Sequence, residues 1–172
     1  MALQFFEDVF DREEVKAFVS SYFDTLNTID PRDKEGSKAR LEPFYSDDFM
    51  SRENDWPHNR DKKRWLGYWV SSSPRYLRKY YYKDPDGFMI VDVRSGIVCS
   101  QMRMEATQIE TGEIVRAYIY ACDLRVKKVD GKLKIDRECW IRVPANYQTD
   151  YPTRLGEEGL PCWLYVDYSK PY

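Results

Sequence analysis

Histidine is nearly missing from this chain: His58 stands alone among 172 residues. The four cysteines, Cys99, Cys122, Cys139 and Cys162, form no C-x-x-C pair. One histidine and scattered thiols lack the ligand spacing of a metal centre, so no metal is expected. There is no G-x-G-x-x-G, no G-x-x-x-x-G-K-[ST] and no G-x-S-x-G, which removes the usual dinucleotide cradle, phosphate loop and nucleophile elbow. Excess charge is absent too, and a net charge of −2 gives no electrostatic case for nucleic acid or an anionic membrane. The opening Met1-Ala-Leu-Gln-Phe-Phe-Glu7 lacks a basic stretch and a long apolar run, so a reducing, cytoplasmic setting is expected. Repeats and low-complexity segments are missing as well. These absences leave cofactor-free chemistry, in which positioned His, carboxylate, Tyr, Lys or Arg groups move protons in a dry pocket.

Aromatic residues are what the chain has in plenty: 14 Tyr, 8 Phe and 5 Trp. At this length one domain is expected, burying roughly 70% of its unfolded surface without a disulfide staple. Its organising stretch is residues 88–143, where four alternating runs (88–93, 97–106, 113–128 and 132–143) are separated by Arg94-Ser95-Gly96, Glu110-Thr111-Gly112 and Val129-Asp130-Gly131. Asp-Gly between alternating runs is a strong hairpin signal, because both central residues of such a turn need positive φ. Consecutive antiparallel strands follow. Several exceed the usual length of about five or six residues, so the sheet is expected to curl.

Before that stretch the apolar period is helical. Asp11 caps a first helix with Glu14 completing a capping box, and Val15, Phe18, Val19, Tyr22 and Leu26 share one face. Asp30-Pro31 stops it near Asn27. A second helix is expected over 37–45 and a short strand or irregular run over 46–54. A third helix, capped by Asn59, is expected over 60–72 with Trp65, Leu66, Trp69 and Val70 inward. The run 76–82 opens the sheet. One domain over 1–172 is expected, with a core at 11–143, an arm at 1–10 and a tail at 144–172. Aromatic residues in arm and tail predict a homo-dimer or homo-trimer, because a monomer would expose them.

Phe44-Tyr-Ser-Asp-Asp-Phe49, Asn59-Arg-Asp-Lys-Lys-Arg-Trp-Leu66 and Val126-Lys-Lys-Val-Asp-Gly-Lys-Leu-Lys-Ile135, in that order and spacing, resemble the NTF2-like superfamily in its SnoaL-like, scytalone dehydratase-like branch. The resemblance implies an α+β cone, three N-terminal helices packed on a strongly curved antiparallel sheet. It also implies that Leu133, Ile135, Arg137 and Cys139 face the cavity, with Val126, Leu124, Cys122, Tyr120 and Tyr118 on the preceding strand. Where dehydratase-like members carry a catalytic histidine, early in the strand after helix three, this chain has Tyr80, with Tyr82 on the same face. Where they often carry an aspartate at the end of helix one, it has Asn27.

These residues compose the expected site. His58, with Asp55 beside it, reads as a general base or as an ordinary surface histidine. Arg137, if inward, needs Glu105 as partner or an anionic or phenolate substrate. Tyr80, Tyr82, Tyr118 and Tyr120 suit an aromatic substrate and an oxyanion, or else an aromatic core or interface. Asn27 and Cys122 line the pocket, while Trp65 and Trp69 read as core. The preferred function is a cofactor-independent lyase, dehydratase or isomerase acting on a small aromatic or polycyclic oxygenated substrate. The alternative is a non-catalytic small subunit of a ring-hydroxylating dioxygenase-like assembly, or a ligand-binding module.

Overall fold

The computed structural model describes residues 10–53, 59–71, 75–81 and 89–142. Helix α1 (Arg12–Leu26) starts as its capping box dictates: Asp11 accepts from the Glu14 N–H at 2.7 Å. Val15, Val19, Tyr22, Phe23 and Leu26 are buried along it. Helix α2 (Lys34–Leu41) begins three residues earlier than expected, because Asp33 takes the capping role by accepting from Gly36 N at 3.1 Å. It does not run to Tyr45. Pro43 has no N–H to give to an α-helical ladder, and the chain tightens into a 3₁₀ turn (Glu42–Phe44) before strand β1 (Tyr45–Glu53).

Strand β2 (Arg60–Asp61) occupies the start expected for the third helix, pairing Ser51 with Arg60 and Met50 with Asp61. Helix α3 (Lys62–Ser71) then starts under Asp61, which accepts from Arg64 N at 2.8 Å. The cap is therefore Asp61 rather than Asn59. Strands β3 (Tyr76–Tyr81), β4 (Met89–Asp92), β5 (Ile97–Gln108), β6 (Ile114–Val129) and β7 (Lys132–Arg142) follow. Asp130 and Gly131, at φ 50° and 75°, make the tight turn between the last two. No helix among the described residues is long and apolar enough to cross a membrane.

The sheet runs β2-β1-β7-β6-β5-β3, and β4 pairs with β5 beyond the end of β3. It is mixed rather than purely antiparallel, because β1 lies parallel to β7. Its concave face holds the core: Val98, Met102, Leu124, Val126 and Ile135 meet Val15, Val19, Phe23, Leu26 and Leu41 from the helices. Of the N-terminal arm the structure describes Phe10, which is buried and whose N–H bonds Val93 O at 3.0 Å.

A bulge in β7 decides what faces that core. Val126 pairs with Ile135 and Arg125 with Arg137, so Asp136 is an extra residue on its strand. Side chains alternate with period two, and one extra residue reverses every later position. Leu133 and Ile135 point inward as expected. Beyond the bulge Glu138 and Trp140 are buried, while Arg137 is exposed and Cys139 half-buried. The expectation that Arg137 and Cys139 face the interior is thus corrected. Asp136 pairs instead with Arg125, at 2.9 and 2.5 Å.

Gly96 closes the β4–β5 turn at φ 70°, and a Cβ there would lie 2.4 Å from Val126 O and 2.9 Å from the Phe10 ring. Its carbonyl accepts from Val126 N at 2.8 Å, so neither backbone can withdraw without breaking that bond. Gly112 has a similar φ of 73° but open space around it. Gly112→Ala is expected to cost about 1 kcal/mol from conformation alone, and Gly96→Ala clearly more, about 2–3 kcal/mol. Urea denaturation of the two variants measures the difference.

Candidate active site around Glu138

The β7 bulge aims Glu138 into the interior, where the residue is 2% exposed. Three elements send donors to its carboxylate. Tyr22, on the buried face of α1, donates its hydroxyl to Oε1 at 2.6 Å. Trp65, on the apolar stripe of α3, donates its indole N–H to Oε2 at 2.9 Å. Trp140, two residues along β7, donates to Oε1. The Tyr45 hydroxyl, at the start of β1, lies 2.8 Å from that of Tyr22. Since Tyr22 gives its proton to Glu138, Tyr45 must be the donor in that pair, and the hydroxyls form a directed chain Tyr45 to Tyr22 to Glu138.

Two opposed forces set the proton affinity of this carboxyl. Burial penalises the charge and dominates, while the hydrogen bonds from Tyr22, Trp140 and Trp65 favour it, leaving the group raised to about 7. The tyrosines stay protonated: burial, then the neighbouring Glu138 charge, pushes Tyr22 and Tyr45 far above the ordinary phenol range. Burial likewise pushes the Cys122 thiol well up, which makes it an inert wall.

Aromatic rings enclose the carboxyl. Trp69, Tyr80 and Trp140 touch one another pairwise, with centroids 5.6 Å (Trp69–Tyr80), 5.7 Å (Trp69–Trp140) and 5.4 Å (Tyr80–Trp140) apart. Tyr120 joins Trp140 edge-on at 5.6 Å, and Tyr118 joins Tyr120 at 6.4 Å. Arginines lie against these rings. Arg60 stacks 4.1 Å over Tyr68. Arg78, on the same face of β3 as Tyr80, lies 5.8 Å from the Tyr68 ring and hydrogen-bonds Tyr68 and Tyr80. Arg142 sits 5.2 Å over Tyr118.

Of the residues expected from sequence, Tyr80, Tyr118, Tyr120 and Cys122 face this interior. Asn27 is close by but committed to the backbone: Nδ2 donates to Tyr80 O at 2.9 Å and Oδ1 accepts from Tyr80 N at 2.6 Å. It pins β3 to the end of α1 instead of offering its amide to a ligand. Arg137 lies on the outer face, where Nη1 donates to Asp136 O at 2.9 Å and Asp48 O at 3.2 Å. Glu105 also belongs to that face and pairs with Arg103 at 2.7 Å, not with Arg137. His58, Asp55 and Tyr82 lie outside the described residues. Glu138, Tyr22, Tyr45, Trp140, Arg78 and Arg142 were missed. The sequence carried no clean signal for the bulge: Trp140 breaks the odd-numbered parity of Leu133 and Ile135, while the exposed Ile141 keeps it.

Three helices on a curled mixed sheet make the NTF2-like α+β cone, and this chain has that fold. No family model matches it, and no curated protein matches it by sequence. Solved structures do. AusH from Aspergillus nidulans is similar at TM-score 0.62 and 13% identity, over 78% of this chain and 87% of that one. The BvnE pinacolase from Penicillium brevicompactum is similar at 0.61 and 13%, over 91% and 97%. An NTF2-like protein from Exiguobacterium sp. 255-15 is similar at 0.56 and 14%, over 74% and 99%.

The buried carboxyl makes stability depend on pH. Glu138 ionises near 4.5 when free and near 7 when folded, so between those values the unfolded chain holds fewer protons than the folded one. Stability should fall as pH rises through this window, by roughly 3 kcal/mol at most, and level off above it. Urea denaturation at pH 5 and pH 7.5 is expected to show this loss in the native protein, and a flatter profile in Glu138→Gln.

Proposed function

We propose that the protein is a cofactor-independent lyase, dehydratase or isomerase, acting by acid–base chemistry on a small aromatic or polycyclic oxygenated substrate, with Glu138 as its proton-transfer group. The observation that carries this reading is a carboxyl raised to about 7 inside a wall of aromatic rings. A group so poised is populated in both protonation states at neutral pH, which suits it to give a proton and take one back.

In the acid step protonated Glu138 reverses the hydroxyl chain. It donates to Tyr22, Tyr22 donates to Tyr45, and the Tyr45 proton becomes free for a substrate hydroxyl or ether oxygen. Departure of that oxygen leaves positive charge on carbon, which the π faces of Trp69, Tyr80 and Trp140 stabilise in a site of low polarity. Return of a neighbouring proton through Tyr45 and Tyr22 to the Glu138 carboxylate gives an alkene, the lyase or dehydratase outcome. A 1,2-shift before proton loss gives a carbonyl, the isomerase outcome. The pinacolase of the same fold supports this second course, since rearrangement of a 1,2-diol needs a proton at one oxygen and its return from the other. Arg78 and Arg142, with Tyr118 and Tyr120, orient the substrate's oxygenated rim.

Turnover of a panel of phenolic and polyketide-like alcohols and diols, by protein treated with chelator and stripped of cofactors, tests the reading. Glu138→Gln is expected to lower kcat/KM by about 10²–10⁴-fold and to remove the limb of the pH–rate profile near 7. Full activity in that variant, or a need for added metal or nicotinamide, would sink the mechanism. Binding of the panel without turnover would favour a ligand-binding module.

A further inference from the structure

One apolar residue of the sheet is buried on the side away from the helices. Ile119 is 3% exposed, yet it is not part of the concave core. Its neighbours Tyr118 and Tyr120 turn inward to that core, so alternation sends Ile119 to the outer face. Arg103, its partner across the ladder, stands on the same face, and there Arg103 Nε is sealed from water too. Two places away along β6 in either direction stand Ala117 and Ala121, whose methyl groups are too small to shield an isoleucine. A further layer must lie over it. The burial is that of one chain by itself, so the cover is part of the same chain.

The described helices are not that cover, since α1, α2 and α3 turn Phe23, Leu41 and Trp65 to the concave core. Nor does it reach in from either side of the sheet. Tyr81, on β3 in the same row as Arg103 and Ile119, is 49% exposed, and Ile141, on β7, is 44% exposed. A segment arriving over those strands would bury them first. The arm before Phe10 starts from the other end of β6: Phe10 lies against Gly96, which bonds Val126, seven residues and roughly 23 Å from Ile119. Fully extended, about its first three residues would arrive.

The end of β7 is better placed. Arg142 pairs with Tyr120, so residue 143 enters beside Ile119, and the chain runs on to residue 172. Within that stretch Leu160-Pro-Cys-Trp-Leu-Tyr-Val166 is an unbroken apolar run, the kind of surface a protein rarely leaves in water. Residues 143–159, with Pro144, Pro152, Gly156 and Gly159, give the length and the turns for a return.

We propose that this run, residues 160–166 of the same chain, folds back over the outer face of β5 and β6 and covers Ile119. That face is a docking surface for the chain's own C-terminal segment, which keeps a second copy of the protein from it. The inference goes beyond the function proposed above and does not depend on it. It meets the interior site from behind, because the stretch of β6 that the segment braces is the one that carries Tyr118 and Tyr120 inward.

The test uses full chains carrying Cys99→Ser and Cys139→Ser, which removes the half-buried thiols of that face. Ile119→Cys is compared with Ile141→Cys, and maleimide labelling is followed peptide by peptide by mass spectrometry. The thiol at 119 should react about tenfold more slowly than the one at 141, and Trp163→Asp should remove most of that difference. Ala121→Cys, at the half-buried border of the same patch, serves for cross-linking and replaces Ile119→Cys in the labelling if that variant fails to fold. A short bis-maleimide should join position 121 to Cys162 within one chain, at a yield independent of protein concentration. Equal labelling on the two positions, protection that survives Trp163→Asp, or no link to Cys162 overturns the inference. So does a link between chains, read as mixed pairs from isotopically light and heavy protein, since a second copy would then occupy the face.

Discussion

A carboxyl group sealed from water at the junction of α1, α3 and β7 sets the terms for the rest of this structure. Desolvating a carboxylate is expensive, and a protein interior tolerates one only where donors converge on it. Here the donors come from residues far apart in sequence: Tyr22, Trp65 and Trp140. Each must hold its position for the others to be useful. The helices are therefore fixed to the sheet by directed bonds to one acceptor as well as by apolar packing, which would tolerate sliding. The same bonds orient the aromatic rings, because an indole whose N–H is committed has little rotational choice left.

This arrangement joins stability and chemistry in a single group. A core built only of Val, Ile and Leu would hold the cone together more cheaply. Raising a carboxyl to about 7 stores unfavourable free energy in the ionised fold, the kind of local cost that functional sites carry while the surrounding packing bears it. The surroundings do so through Val15, Val19, Phe23, Leu26, Leu124 and Ile135, all buried at 0–1% exposure.

Much of the fold was legible in the sequence. The Asp11 cap, the apolar face of α1, the Asp130-Gly131 turn and the long strands all rest on local rules, and local rules hold where nothing distant competes. Three boundaries moved for equally local reasons, Asp33 starting the second helix early, Pro43 ending it and Asp61 starting the third. The site was less legible because it depends on phase. Alternation predicts facing correctly along β6, where Tyr118, Tyr120, Cys122, Leu124 and Val126 all turn inward. On β7 it fails beyond Ile135, since Asp136 is accommodated without a partner across the strand. The parallel pairing of β1 with β7 is hidden for a related reason: the sequence reads Tyr45 as the end of a helix, and strand direction across such a gap leaves no mark on periodicity.

The bulge at Asp136 also bears on how such a site can change over generations. Substitution alters one wall residue at a time. Gain of a single codon directly after position 136, with the bulge kept, would exchange the inward set of the strand beyond it at one stroke, withdrawing Glu138 and Trp140 and presenting Arg137 and Cys139. An acidic interior would become basic and thiol-bearing while the hairpin turn and the strands stayed in place. Within a fold of this kind, the sign of the charge at the centre is thus governed by strand length as well as by side-chain identity, and two proteins with nearly the same residues in this strand can hold opposite chemistry.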